Sequence, residues 1–421
     1  MLERIGILKY IGHTALLLCL LAGINAPRLS AATISGKAPD YAGQELLLYT
    51  ESDAIIPRLI ELASDTVDAD GSFLLSFDCD STLFCKCDLG FYRGCIFVES
   101  NKNYKINLPP YKPLTESENL NPYFVPETIL LSIDNPDNDD INLLVASFED
   151  KLDSLWNRLL FNYGTTEDFD RFYGDIESAY RNCGNGYFND YRKFSYAQLL
   201  RYFGDRGRDM AISMFLLPGT PGYSNPAFWA AFSSLLEDFR FIEYLKPNRE
   251  LYELAAILNV ANGHLGENYL DSVSIDRPRK IAAALKQELR KTAEGNDVGI
   301  PYLINLANDT LRWTDFHEPY IYLCFANSGL KESLSDLDFA GRLKARWKRN
   351  FAFVFVFMSD SKEKISAACS NYPQIEYICS SEDNPGIGKA FRLKTPPAYF
   401  VITNTGKFEI SPAPVPAYFE P

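Results

Sequence analysis

Apolar and polar positions follow three successive patterns along the chain. From Thr33 to about Pro110 the apolar residues fall in short runs: Glu45-Leu-Leu-Leu-Tyr49, Ser72-Phe-Leu-Leu-Ser-Phe77, Leu83 to Leu89, Gly94 to Glu99 and Tyr104 to Leu108. Runs of this length, broken by Gly, Asn and Asp, predict a small β-sandwich. Asp68-Ala-Asp70-Gly71 predicts a hairpin turn, because the later glutamate of a calcium loop is missing at the required spacing. From Ile141 the pattern turns helical. Ile141, Leu144, Phe148, Leu152, Leu155 and Leu159 recur at three- and four-residue steps, the mark of one amphipathic face. Further helices are predicted at 167–182, 189–203, 209–216, 227–244, 249–260 and 278–293, with Pro226 and Pro278 suited to helix starts. From Pro319 strands and helices alternate. Strands are predicted at 320–325, 351–358 and 374–379, helices at 334–349 and 362–371, and a hairpin over 399–408. Apolar, β-rich runs separated by helices predict an α/β sheet with both faces covered.

The chain therefore divides into a β-sandwich-like domain over 33–110, an all-α domain over 111–300 and an α/β domain over 301–421. Leu108-Pro-Pro-Tyr-Lys-Pro-Leu114 reads as the linker between the first two, its prolines fixing extended backbone.

Two segments of the last domain carry a family likeness. One is Phe391-Arg-Leu-Lys-Thr-Pro-Pro-Ala-Tyr-Phe-Val-Ile-Thr-Asn-Thr-Gly-Lys407, a proline pair followed by a strand and a Gly-containing turn. The other is Phe325-Ala-Asn-Ser-Gly-Leu-Lys-Glu-Ser333, a turn between a strand and a helix. Together they resemble the TlpA-like periplasmic thiol–disulfide oxidoreductases, a thioredoxin-fold family. The resemblance implies that Pro397 is a cis-proline and that Leu330 and Ser333 occupy the two cysteine positions of Cys-x-x-Cys. It also implies a binding groove between Ser328–Ser333 and Pro397. The β pattern at the other end resembles a small β domain found ahead of thioredoxin-like domains in Gram-negative envelope proteins.

The departure at Leu330 and Ser333 bears directly on function. Dithiol exchange needs a thiolate at a helix N-terminus and a second thiol three residues on. Leucine has no nucleophile, and a serine hydroxyl without an activating base is a poor one. The sequence contains no Cys-x-x-Cys at all. The thiol nearest the vacated turn in sequence is Cys324, which reads as a core residue on a central strand or, alternatively, as a lone nucleophile.

Composition narrows the remaining classes. Hydrophobic residues make up 47% of the chain and aromatics 14%, enough for packed cores. The net charge of −14 argues against nucleic-acid binding and against anionic membrane surfaces. Arg4 and Lys9, then Ala15-Leu-Leu-Leu-Cys-Leu-Leu-Ala22, then Ser30-Ala-Ala32 read as a secretory signal over 1–32. Leu18 before Cys19 is not the small residue a lipid-attachment site wants, which disfavours a lipoprotein. The mature chain is expected to be exported, with no transmembrane segment.

Export makes disulfides relevant. Cys79, Cys85, Cys87 and Cys95 cluster in the β region, and turn lengths suit the pairs Cys79–Cys85 and Cys87–Cys95. The same four could instead be buried thiols or, with unusual spacing, zinc ligands. His264 and His317 fall in different domains, so no histidine-based metal site or catalytic triad is expected, and no cofactor. These readings lead to a redox-inactive, thioredoxin-like module that binds or scaffolds a protein or peptide in the cell envelope. Two alternatives stand beside it: an oxidoreductase working through Cys324, and a helical domain that binds a ligand or glycan. The chain also ends soon after the final hairpin, which predicts a sheet face left open for a partner chain.

Overall fold

The computed structural model describes residues 31–115, 118, 124–161, 166–236, 238–347, 349–358, 360–393 and 396–419. The expected signal sequence lies outside these residues, apart from its last two positions.

The alternating segments form nine strands: β1 (Ala31–Lys37), β2 (Glu45–Glu51), β3 (Leu59–Thr66), β4 (Ser72–Asp78), β5 (Leu83–Leu89), β6 (Tyr92–Val98), β7 (Asn103–Asn107), β8 (Glu127–Leu130) and β9 (Ser132–Ile133). They build two sheets, ordered β4-β1-β7-β9 and β3-β2-β5-β6-β8. Side chains such as Ile34, Leu48, Phe73, Leu75, Ile96 and Ile106 meet in one core. On β4 the alternation is plain: Phe73, Leu75 and Phe77 are buried while Leu74 is exposed.

Two expectations change here. The Asp68–Gly71 turn does not close a hairpin within one sheet, because β3 and β4 belong to different sheets. It is a corner that carries the chain across the sandwich. Gly71 takes φ +87°, and a Cβ there would lie 2.6 Å from the Pro39 nitrogen, so a side chain has no room. The β unit also runs beyond residue 110: β8 pairs in parallel with β6, and β9 pairs antiparallel with β7. Strands of four and two residues are too short to show an alternation in sequence.

The helices that follow are α1 (Ile141–Phe161), α2 (Thr166–Ala179), α3 (Gly186–Leu200), α4 (Gly204–Ala211), α5 (Pro226–Leu235), α6 (Arg249–Ala261) and α7 (Asp276–Lys291). Side-chain caps fix several starts. Asn185 accepts from Phe188 N, Asn225 from Ala227 N with Pro226 as the first helical residue, and Asn248 from Leu251 N. The helix expected over 227–244 is two pieces, because α5 stops at Leu235 and a 3-10 segment covers Phe239–Leu245. Phe148, Phe188, Phe194, Phe228 and Phe232 fill a single aromatic core, and Phe97 of β6 reaches into it. Asn142 secures that junction: its side-chain carbonyl accepts from Phe97 N at 2.7 Å and its amide donates to Phe97 O at 2.8 Å.

The C-terminal region begins with a small pair, β10 (Tyr302–Ile304) and β11 (Thr310–Arg312). It continues through β12 (Tyr320–Ala326), α8 (Lys331–Trp347), β13 (Phe351–Phe357), α9 (Lys362–Cys369), β14 (Tyr377–Ser380), α10 (Ile387–Ala390), β15 (Ala398–Thr403) and β16 (Phe408–Ile410). The sheet order is β14-β13-β12-β15-β16. β12, β13 and β14 are parallel, while β15 and β16 run antiparallel to their neighbours. This is a thioredoxin-like arrangement covering only part of the chain. Successive residues of β12 serve opposite faces: Ile321, Leu323 and Phe325 one core, Tyr322, Cys324 and Ala326 the other, where Leu337 and Ala340 of α8 dock.

The predicted open face is closed by the chain itself. Ala413 N donates to Tyr399 O at 2.8 Å, and the Tyr322 hydroxyl donates to Pro414 O at 2.5 Å. Phe419, 4% exposed, lies on Tyr322 and Phe351. A proline-rich tail with one aromatic anchor does the covering, and its lack of helical periodicity hid it in the sequence.

Candidate functional site at the end of the β12–β15 ladder

Pairing between β12 and β15 ends at Phe325↔Ala398. Pro397 therefore stands beside the end of β12, next to the turn over 327–330. The Pro396–Pro397 peptide bond is cis, as the family likeness implied. Pro397 is half-buried at the mouth of the sheet.

The turn is tied down at every residue. Gly329 N donates to Asn327 Oδ1 at 2.9 Å, and Leu330 N donates to Asn327 O at 3.1 Å. Asn327 Nδ2 reaches across to Met358 O at 3.1 Å. Ser328 gives both of its donors to one carboxylate: its N–H to Asp360 Oδ2 at 2.7 Å and its hydroxyl to Asp360 Oδ1 at 2.8 Å. Asp360 itself is 5% exposed, so the sequence just past β13 anchors the turn from below.

Ser333 is not on a groove. It is fully buried, and its Oγ accepts from Asn327 N at 3.1 Å. The inward stripe of α8 is Ser333, Asp336, Leu337 and Ala340, a three- and four-residue spacing that turns the hydroxyl under the turn. Leu330 is half-buried at the start of the helix. Ser328 also lines a cleft of about 390 Å³ with Leu334, Lys364, Ala367, Ala368 and Tyr372, between α8 and α9. Pro397 is not among the residues lining it.

Cys324 is fully buried, and burial first, then the nearby Asp336 carboxyl, raises its thiol well above the ordinary range. Such a thiol is neither exposed nor ionised, as nucleophilic attack requires. Asp336 accepts from the Tyr399 hydroxyl at 2.6 Å.

No disulfide joins the cysteines of the sandwich. All eight cysteines from Cys79 to Cys379 are free thiols here. The β5–β6 register sets Cys95 opposite Lys86, and Cys87 opposite Gly94. Residues opposite one another share a face, and neighbours along a strand do not. Cys95 therefore points away from the face that carries Cys85 and Cys87, which corrects the Cys87–Cys95 pairing. Cys79, Cys85 and Cys87 belong to the sandwich core. Among the described residues, no group of His, Cys, Asp and Glu side chains is placed to hold a metal.

No family model matches the chain, and no curated protein matches it. Solved structures do match over part of the chain. The thioredoxin domain of a thiol-disulfide oxidoreductase from Bacteroides vulgatus is similar at 15% identity, covering 28% of this chain and 86% of that one, with TM-score 0.25. A thiol:disulfide interchange protein DsbE from Chlorobium tepidum is similar at 16% identity, covering 28% and 83%, with TM-score 0.26. A thiol-disulfide oxidoreductase from Bacteroides fragilis is similar at 18% identity, covering 27% and 87%, with TM-score 0.25.

Three residues that shape the site went unnoticed in the sequence: Asp360, Asp336 and Tyr399. The first signals nothing locally, since its partner Ser328 lies on another strand end. Asp336 was legible in principle, being three residues after Ser333 and one before Leu337 on the same helical face.

Proposed function

We propose that the C-terminal region is a thioredoxin-like module without dithiol chemistry, and that it serves an exported chain by binding a peptide or protein. The observation that carries this reading is the state of the turn. Its backbone is fully organised, yet Leu330 and Ser333 stand at the positions where dithiol exchange needs sulfur, and the Ser333 hydroxyl is committed to Asn327 N. Cys324, the thiol nearest in sequence, is buried beneath it. The binding part rests on the end of the sheet. The β12–β15 ladder stops at Phe325↔Ala398, and the end of the sheet beside Pro397 is where extended backbone from a partner would dock. Export rests on the signal-like residues 1–32, and among the described residues no helix is long and apolar enough to cross a membrane.

The test has two arms. Reduction of a model disulfide by the purified chain with a thiol donor is expected at background, equally in the wild type and in Cys324→Ser. Turnover above background that disappears in Cys324→Ser would establish a lone-cysteine enzyme instead. In the second arm, a panel of extended peptides is screened by backbone NMR shifts. Shifts are expected at Ala326–Ser328 and Pro397–Tyr399; binding that maps only to α1–α7 would favour the ligand-binding helical domain.

A further inference from the structure

The buried stripe of α8 carries a carboxyl group that, among the described residues, no cation is placed to balance. Asp336 is 5% exposed. The ionisable groups that face it are Glu332 from its own helix, Tyr399 from β15, and Cys324 and Tyr322 from β12. Each of these is neutral or acidic, and Tyr399 supplies its hydrogen bond at 2.6 Å. Removing a carboxylate from water without a positive partner is costly, so such a group stays protonated into a higher pH range or moves toward solvent. Burial is indeed the largest influence on Asp336 and raises its carboxyl above the usual range; the Tyr399 hydroxyl opposes this, and Glu332 adds to it.

We propose that Asp336 and Tyr399 form a pH-sensitive latch: with Asp336 protonated the first turns of α8 sit closed on β15, and ionisation of Asp336 loosens them. Leu337 and Ala340 keep the middle of the helix in the apolar core. The first turns end at the exposed mouth of the sheet, so they offer the shorter path for the carboxylate to reach water. Ser333 lies one turn before Asp336 and holds Asn327 N, so loosening there releases the turn over 327–330 as well. The latch is a property of the fold and does not depend on whether the groove binds a peptide.

The sign follows from proton linkage. Between the unfolded carboxylate range and the raised folded value, the closed state keeps a proton that the open state releases. Closure therefore weakens as pH rises through that window and levels off above it. The experiment is carboxyl-carbon NMR titration of Asp336 in the full chain, together with hydrogen exchange of residues 327–337 from pH 4 to 8, corrected for intrinsic rates. Protection is expected to fall by about tenfold per pH unit between the ordinary carboxylate range and the Asp336 midpoint and to level off above that midpoint, with no such fall in Asp336→Asn. Titration of Asp336 in the ordinary carboxylate range, or an unchanged loss of protection in Asp336→Asn, would overturn the proposal. Should that variant fail to fold, a wild-type fall in protection that levels off at the Asp336 midpoint supports the latch, and a fall that continues unchanged through that midpoint, or none below it, refutes it.

Discussion

The Phe419 ring stands against the Tyr322 ring with centroids 4.8 Å apart and planes at 61°, joining the end of the chain to the first strand of the C-terminal sheet. The contact covers the face of the sheet that carries Tyr322 and Phe351. Removing a buried phenylalanine side chain typically costs about 3 kcal/mol or more. Phe419→Ala is therefore expected to lower the urea midpoint of the C-terminal region, and deletion of residues 411–421 to lower it further. An unchanged midpoint in both would mean that the tail does not cover the face in solution.

Asn142 takes the place of a neighbouring strand for Phe97, meeting both its N–H and its C=O. Asn142→Ala leaves two buried backbone groups without partners, at about 1–3 kcal/mol each. Thermal unfolding should shift downward, and the amide of Phe97 should exchange faster. Asn142→Leu should do the same, since it restores volume but not hydrogen bonds.

The Ser328–Asp360 pair makes a local prediction. Asp360→Ala removes the acceptor for two donors, one of them backbone, and bonds to a charged group contribute about 1.5–3 kcal/mol each. Faster hydrogen exchange confined to residues 327–330 is the expected result. Loss of protection across β13 would instead mark Asp360 as a support for the strand.

The sandwich thiols should be silent in the folded protein. Burial pushes Cys87 up to about 12 and Cys95 up to about 11, so at pH 8 almost no thiolate is present at either. Alkylation of exported, non-reduced protein is expected to label Cys85, Cys87 and Cys95 only after denaturation, and then fully. A mapped Cys87–Cys95 bridge would contradict the β5–β6 register.

Introducing sulfur at the turn separates the fold from the chemistry. Ser333→Cys alone places a thiol in a fully buried position and deprives Asn327 N of its acceptor. It should lower stability and give no reductase activity, because position 330 still lacks the attacking thiol. Leu330→Cys combined with Ser333→Cys supplies both sulfurs at the start of α8. A free-thiol count that falls by two on mild oxidation would show that the turn holds them within bonding range.

The sequence marked most of the longer strands and helices. Period-two and three-to-four-residue spacing marked the strands and helices, because side-chain direction repeats with local geometry and needs no knowledge of neighbours. That the turn carries leucine and serine at 330 and 333, and no cysteine, is likewise read from the sequence directly. Only the tertiary structure decided what depends on residues far apart in the chain. It put Cys95 across the sheet from Cys85 and Cys87, since β5–β6 register is set by pairing. It brought β8 and β9 into the sandwich, since two- and four-residue strands gain their hydrogen bonds only from partners already in place. It turned Ser333 under the turn and set Asp336 against Tyr399, 63 residues away. It also laid Phe419 on Tyr322, because a tail without periodicity finds its place through the apolar surface that the sheet presents.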